Sequence, residues 1–182
     1  MRRLRGGLLA LVVITSAAAA GVVEPQNFWD GPMQGETPMA LAGAQVVDAE
    51  AVATLKQRGA LLLDVAQSPI KPENMAPDAL WRPIHMSIPG AVWLAGAGSG
   101  DSSPVFQSRF DERLAGLTGG GKEKPIVVFC HPQCWGSWNA AKRLVMRGYA
   151  HVYWFRDGVE GWQEKFEVAP VQPDLAWAEA KK

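Results

Sequence analysis

In 182 residues the chain balances 18 Lys and Arg against 18 Asp and Glu, a formal net charge of zero, and 48% of its residues are hydrophobic. That much apolar material supports a packed core of ordinary globular type. The missing basic excess argues against a nucleic-acid partner or an anionic membrane surface, either of which needs a basic face.

Arg2, Arg3 and Arg5 precede an apolar run from Leu8 to Ile14 and the small residues Ala17 to Ala20. This is the pattern of a cleaved export signal over residues 1–20. The run is shorter than the roughly 20 apolar residues that span a bilayer, and no cysteine follows it to carry a lipid, so no membrane association is expected after cleavage. Removing three of the 18 basic side chains and no acidic one leaves 15 against 18, a slightly acidic mature chain.

Residues 21–44, rich in Pro, Gly and Met, read as an extended N-terminal arm. Val46 and Val47 suit a short strand. Asp48 is a candidate N-cap for a helix over Glu50 to Arg58, stopped by Gly59. Ala60 to Val65 is a short apolar run of the kind found in parallel strands covered on both faces. Residues 66–83 hold four prolines and no periodicity, a long irregular excursion. Ile88-Pro89-Gly90-Ala91 is a turn, and Val92 to Leu94 a strand. After a Gly/Ser loop from Gly96 to Pro104, the apolar spacing of Phe106, Phe110, Leu114 and Leu117 predicts an amphipathic helix. Pro125 to Cys130 is the clearest strand. The loop His131 to Gly136 leads into a helix over Ser137 to Met146, closed by Gly148. His151 to Phe155 is the last predicted strand and Gly158 to Phe166 the last helix. The tail, residues 169–182, reads as peripheral. Strands alternating with helices predict an α/β domain with a mostly parallel central sheet and helices on both faces.

In open parallel sheets ligands gather at the carboxyl ends of strands, and Cys130 lies at such an end. The helix that follows opens free N–H groups and its positive dipole end toward the loop, which favours a negative charge. A thiolate at Cys130 is therefore expected to have a lowered pKa and to be nucleophilic. A buried strand-end cysteine acting as a small hydrophobe is the alternative. Cys134 is the only other cysteine. An even count in an exported chain reads as a bridge, yet a loop this short gains little from closure, so the two read as a local chemical pair. A curled loop would bring their Cα atoms within disulfide range, about 4.4–6.8 Å. Three candidate ligands, Cys130, His131 and Cys134, fall short of the four that structural zinc prefers. The C-x-x-C-H haem pattern is missing. Neither metal nor cofactor is expected.

The order Leu61-Leu62-Leu63-Asp64-Val65, His85 with Ile88-Pro89-Gly90-Ala91, Val127-Val128-Phe129-Cys130 and Asp157-Gly158-Val159-Glu160-Gly161-Trp162 resembles a single rhodanese-like domain, placed over residues 45–168. The resemblance implies sulfur transfer with Cys130 as the sulfur carrier and residues 131–137 as the substrate-binding loop. His131, Pro132, Gln133, Trp135, Gly136 and Ser137 are then its site residues, with Cys134 as a second, resolving thiol. Loop arginines usual in that family are replaced by His131 and Trp135, which removes bidentate contacts to an anionic donor such as thiosulfate; Arg143 lies too far along the helix to substitute. His131 is either a cationic neighbour of the thiolate or a solvated loop residue, and Trp135 either packs or offers a docking surface. His85 reads as structural.

Cys130-His131-Pro132-Gln133-Cys134-Trp135, followed by Ser137-Trp138-Asn139-Ala140-Ala141, further resembles exported rhodanese-like proteins named for a cysteine-pair–Trp (CXXCW) motif and associated with PQQ-dependent alcohol catabolism in Gram-negative bacteria. That implies a periplasmic setting, a small sulfur donor or a thiol partner protein, and a link to a PQQ-dependent dehydrogenase system, with no PQQ bound by this chain. Three readings follow: sulfane-sulfur transfer, thiol–disulfide exchange, or a non-catalytic binding module with a structural Cys130–Cys134 disulfide.

Overall fold

A computed structural model describes residues 21–179; the export signal expected over residues 1–20 lies outside the described residues. Five short strands, β1 (Gln45–Val46), β2 (Leu61–Asp64), β4 (Val92–Trp93), β5 (Ile126–Phe129) and β6 (Val152–Phe155), form one sheet in the order β1-β6-β5-β2-β4. Every pairing in it is parallel. Asp64 lies opposite both Phe129 and Trp93, and Phe129 opposite Phe155, so the carboxyl ends of four strands finish at one edge.

Strand residues alternate between two cores. Leu61, Leu63, Ile126, Val128, Val152 and Trp154 pack with helices α2 (Pro104–Thr118) and α3 (Trp135–Met146) on one face. Leu62, Val127, Phe129 and Phe155 pack with α1 (Ala49–Gln57) and α4 (Gly158–Gln163) on the other. Covering on both faces explains why β2 and β5 are apolar at nearly every position rather than alternating. The predicted α/β class, with its mostly parallel sheet and helices on both sides, is the one observed. The helices start where their caps dictate: Asp48 accepts the Ala51 N–H at 2.9 Å, and Ser103 accepts that of Phe106 with Pro104 in the first turn. No helix among the described residues is long and apolar enough to cross a membrane.

The tail is not peripheral. Its β7 (Ala169–Val171) pairs antiparallel with an unforeseen strand, β3 (His85–Ser87), and α5 (Leu175–Glu179) follows. The reason is Trp177, which is 1% exposed, donates its indole N–H to Ala95 O at 2.9 Å and lies under the Arg109 guanidinium. One large aromatic with a hydrogen-bond handle anchors an otherwise Pro- and Ala-rich segment.

Candidate functional site

β5 delivers Cys130 to the carboxyl edge of the sheet, and the chain reaches α3 through only His131, Pro132 and Gln133. Such a tight return forces Gln133 to φ 53°, the left-handed region, where no other non-glycine residue among the described residues is found. Behind the loop, Gly158 (φ 61°) begins α4; a Cβ there would lie 2.4 Å from the Cys130 carbonyl oxygen, and the Val159 N–H donates to that oxygen at 2.9 Å. Glycine at this position lets α4 lock the loop from below.

Cys134 occupies the N-cap of α3. Both cysteines are thiols and nearly sealed, Cys130 at 3% and Cys134 at 8% exposure. Their side chains face each other and share a hydrogen bond, which ties their protonation together. Cys134 is lowered to about 6, first by the hydrogen bond from Cys130, with burial acting against it, and further by the amides of Ser137, Gly136 and His131. Cys130 is pushed up, first by donating that hydrogen bond, then by burial and by the negative charges of Cys134 and Asp64, while the His131 amide acts against this. The two thiols therefore titrate as a pair, one lowered and the other raised by the contact they share. α3 begins at Trp135 rather than Ser137, which makes Cys134 its N-cap residue, without a side-chain cap hydrogen bond. Gly136 is packed so closely that a Cβ would stand 3.3 Å from that sulfur.

The other predicted loop residues divide by role. Ser137 is fully engaged, donating to Cys134 O and accepting the Trp154 indole N–H, both at 3.0 Å. His131 leans outward, its Nδ1 2.7 Å from Glu160 Oε1. Trp135 is buried within the chain, stacked at 4.3 Å on Trp29 and edge-on to Trp138. Its choice between packing and docking falls to packing. Arg143 is fully buried and donates to Ser99 O and Asp101 O, away from the loop. Among the described residues no three His, Cys, Asp or Glu side chains converge on a metal position.

Two groups of neighbours were not apparent as site residues. The first is the arm, which meets the loop in one isolated antiparallel bridge between Gln34 and Cys134: the Trp135 N–H donates to Met33 O and the Gly35 N–H to Gln133 O, both at 2.8 Å, and Gln34 Nε2 donates to Pro132 O at 2.9 Å. Asn139 grips Trp29 by both its amide and its carbonyl at 2.8 Å. A Trp inside a Pro/Gly-rich stretch was the available signal, since so large an apolar surface needs a partner. The second is a buried polar cluster beside Cys130. Asp64 accepts from Ser87 Oγ at 2.5 Å and from the Ala66 N–H at 2.9 Å, and lies 2.8 Å from His85 Nε2. His85 stacks on Trp93.

The sequence profile described as Rhodanese-like domain matches residues 48–165. No curated protein sequence matches the chain. Solved structures that resemble it include a thiosulfate sulfurtransferase from Pseudomonas aeruginosa, at 18% identity and TM-score 0.45 over 75% of this chain and 23% of that one. A protein from Bacillus halodurans matches at 22% identity and TM-score 0.45 over 72% and 83%. The polysulfide-sulfur transferase homodimer from Wolinella succinogenes matches at 21% and 0.43 over 68% and 76%. The chain spans less than a quarter of the Pseudomonas aeruginosa chain.

Proposed function

The chain belongs to the rhodanese-like domain family, and on that footing we propose that it handles sulfane sulfur through the Cys130–Cys134 pair. One thiol takes the outer sulfur of a donor as a persulfide, and the other either resolves it to a disulfide or leaves it for an acceptor thiol. The observation that carries this reading is the pair itself: two buried thiols, Cys130 at the end of a central strand and Cys134 at the N-cap of the helix that follows, among the amides of the loop and first helical turn. Such amides stabilise an anionic sulfur without any cationic side chain. The loop offers no arginine fork, so thiosulfate is a poor donor in this proposal and an organic persulfide a better one.

The setting is part of the proposal. The leader-like residues 1–20 and the segment Cys130 to Ala141 support a periplasmic protein accessory to PQQ-dependent alcohol oxidation, working on a small sulfur donor or a thiol partner protein.

The test is intact mass. Reduced mature protein is exposed to glutathione persulfide alongside its Cys130→Ser and Cys134→Ser variants. Gain of one sulfur atom in a single-cysteine form, or loss of two hydrogens in the wild type with release of sulfide, supports the proposal. A second reading, a binding module with a permanent bridge, is favoured by the arm lying across the loop. It predicts a disulfide already present in periplasmic protein and inert to mild reductant and donor alike.

A further inference from the structure

We propose that Arg156 recognises the carboxylate of an organic persulfide donor, a reading that rests on the sulfur handling proposed above and adds the donor's chemical class to it. Arg156 is the first residue past β6, as Cys130 is the first past β5. The two strands are parallel with Phe129 opposite Phe155, so Cys130 and Arg156 leave the sheet edge side by side. They also take the same face. Phe129 and Phe155 pack in the core under α1 and α4, whereas Val128, Trp154 and Cys130 pack in the one under α2 and α3. Arg156 Cζ lies 5.6 Å from the centre of the Trp154 ring on that second side. The Trp154 indole donates to Ser137 Oγ and Ser137 to Cys134 O, both at 3.0 Å. A cation thus stands one aromatic ring and one hydroxyl away from the loop that carries both thiols.

Its donors are largely unused. Nη2 reaches only Thr37 O and Thr37 Oγ1, at 3.5 and 3.4 Å, the long limit of a hydrogen bond. Nε is buried without a partner. Among the described residues Arg156 forms no ion pair, whereas Arg113 is held by Asp174 and Arg147 by Asp111. Arg109, whose Nε is also unpartnered, is committed to the ring and carbonyl of Trp177. A guanidinium nitrogen buried without an acceptor bears a desolvation cost that an anion would relieve, and its fork matches a carboxylate. Because this cation comes from the neighbouring strand and not from the cysteine loop, it suits a donor whose charge lies several bonds from its sulfur. Arg156 changes no bond in the transfer. The protein thiol and ⁻O₂C–R–S–S–H give the protein persulfide and ⁻O₂C–R–S–H: the donor's S–S bond breaks, a new one forms to the protein sulfur, and the thiol proton passes to the leaving sulfur.

The experiment follows consumption of the reduced protein by intact mass, with the persulfides of mercaptopropionate and mercaptoethanol as donors, which differ by a carboxylate against a hydroxyl. Arg156→Gln is expected to raise the half-saturating concentration of the carboxylate donor by about 10- to 100-fold, the loss of a charge-assisted pair, with its limiting rate little changed. The neutral donor is expected to react with the variant as it does with the wild type. Arg156→Lys, which keeps the charge without the fork, is expected to show a smaller loss confined to the carboxylate donor, and it carries the test if the Gln variant does not fold. Equal loss with both donors, or no loss with either, overturns the proposal. If the wild type takes sulfur from neither donor, the sulfur-handling reading fails, and recognition is read from the unreactive thioethers methylthiopropionate and methylthioethanol. A shift of the Arg156 Nε–H NMR signal with the carboxylate compound alone supports recognition; a shift with both or with neither overturns it.

Discussion

Trp29→Ala tests whether the N-terminal arm governs access to the thiol pair. Trp29 is half-buried and stacks on Trp135 at 4.3 Å with the rings 12° from parallel. A fully buried Trp→Ala change costs about 3–5 kcal/mol, so a half-buried one weakens the arm's docking by about 2 kcal/mol, an opened population about 30-fold larger. The two backbone contacts between residue 29 and Asn139 survive in the variant, so the arm loosens over the loop without leaving the domain. Hydrogen exchange reads this directly. The amides of Gly35 and Trp135, which donate across the arm–loop pairing, are expected to exchange about 30-fold faster, with alkylation of the pair rising in step. Amides of Val127 and Val128 in β5 are expected to keep their protection. Unchanged exchange at Gly35 and Trp135 refutes the arm as a cover, and equal acceleration in β5 refutes its being a local one.

Other perturbations probe the elements behind the site. The lowered pKa of Cys134, about 6, contributes stability fully present above the unfolded thiol's value of about 8.5 and lost as pH falls through 6, whereas the raised Cys130 costs stability only above about 8.5. The denaturant midpoint of the reduced wild type, relative to Cys134→Ser, is therefore expected to rise between pH 6 and 8; a flat or falling difference contradicts the assignment. Asp64→Asn removes the charge shared by Ser87 and His85 and is expected to cost about 2–3 kcal/mol, a Tm drop of roughly 5–10 °C by calorimetry; a change below 1 °C contradicts the cluster's role. Trp177→Ala empties a fully buried site and is expected to cost about 3–5 kcal/mol, while a peripheral tail would tolerate it in the same calorimetric scan.

The sheet was legible because its strands carry their own signal. Leu61-Leu62-Leu63 and Ile126-Val127-Val128-Phe129 are short, apolar and bounded by turn residues, which is what a strand buried on both faces requires. Helix ends were legible to within two residues where a cap marks them, as at Asp48, and the two-residue error at the start of α3 had the largest chemical consequence. It made Cys134 the N-cap residue of the helix. Position along the chain does not encode where the first helical turn points its N–H groups, and Cys134 has no conventional capping side chain to announce it. The arm and the tail were illegible for a different reason. Neither has periodicity; each is anchored in part by a tryptophan, Trp29 or Trp177, whose partners are distant in sequence and supplied only by the fold. The strand β3 was hidden likewise, since its three residues become a strand only through pairing with that tail.

The reduction potential of the Cys130–Cys134 couple, measured by glutathione redox titration of the purified protein with thiols quantified by mass, tests the central claim most directly. Amides that favour an ionised Cys134 stabilise the dithiol form, so the potential is expected above about −270 mV, in the range of exchangeable pairs. A value below about −300 mV would mark a permanent bridge and contradict a pair that opens and closes in its work.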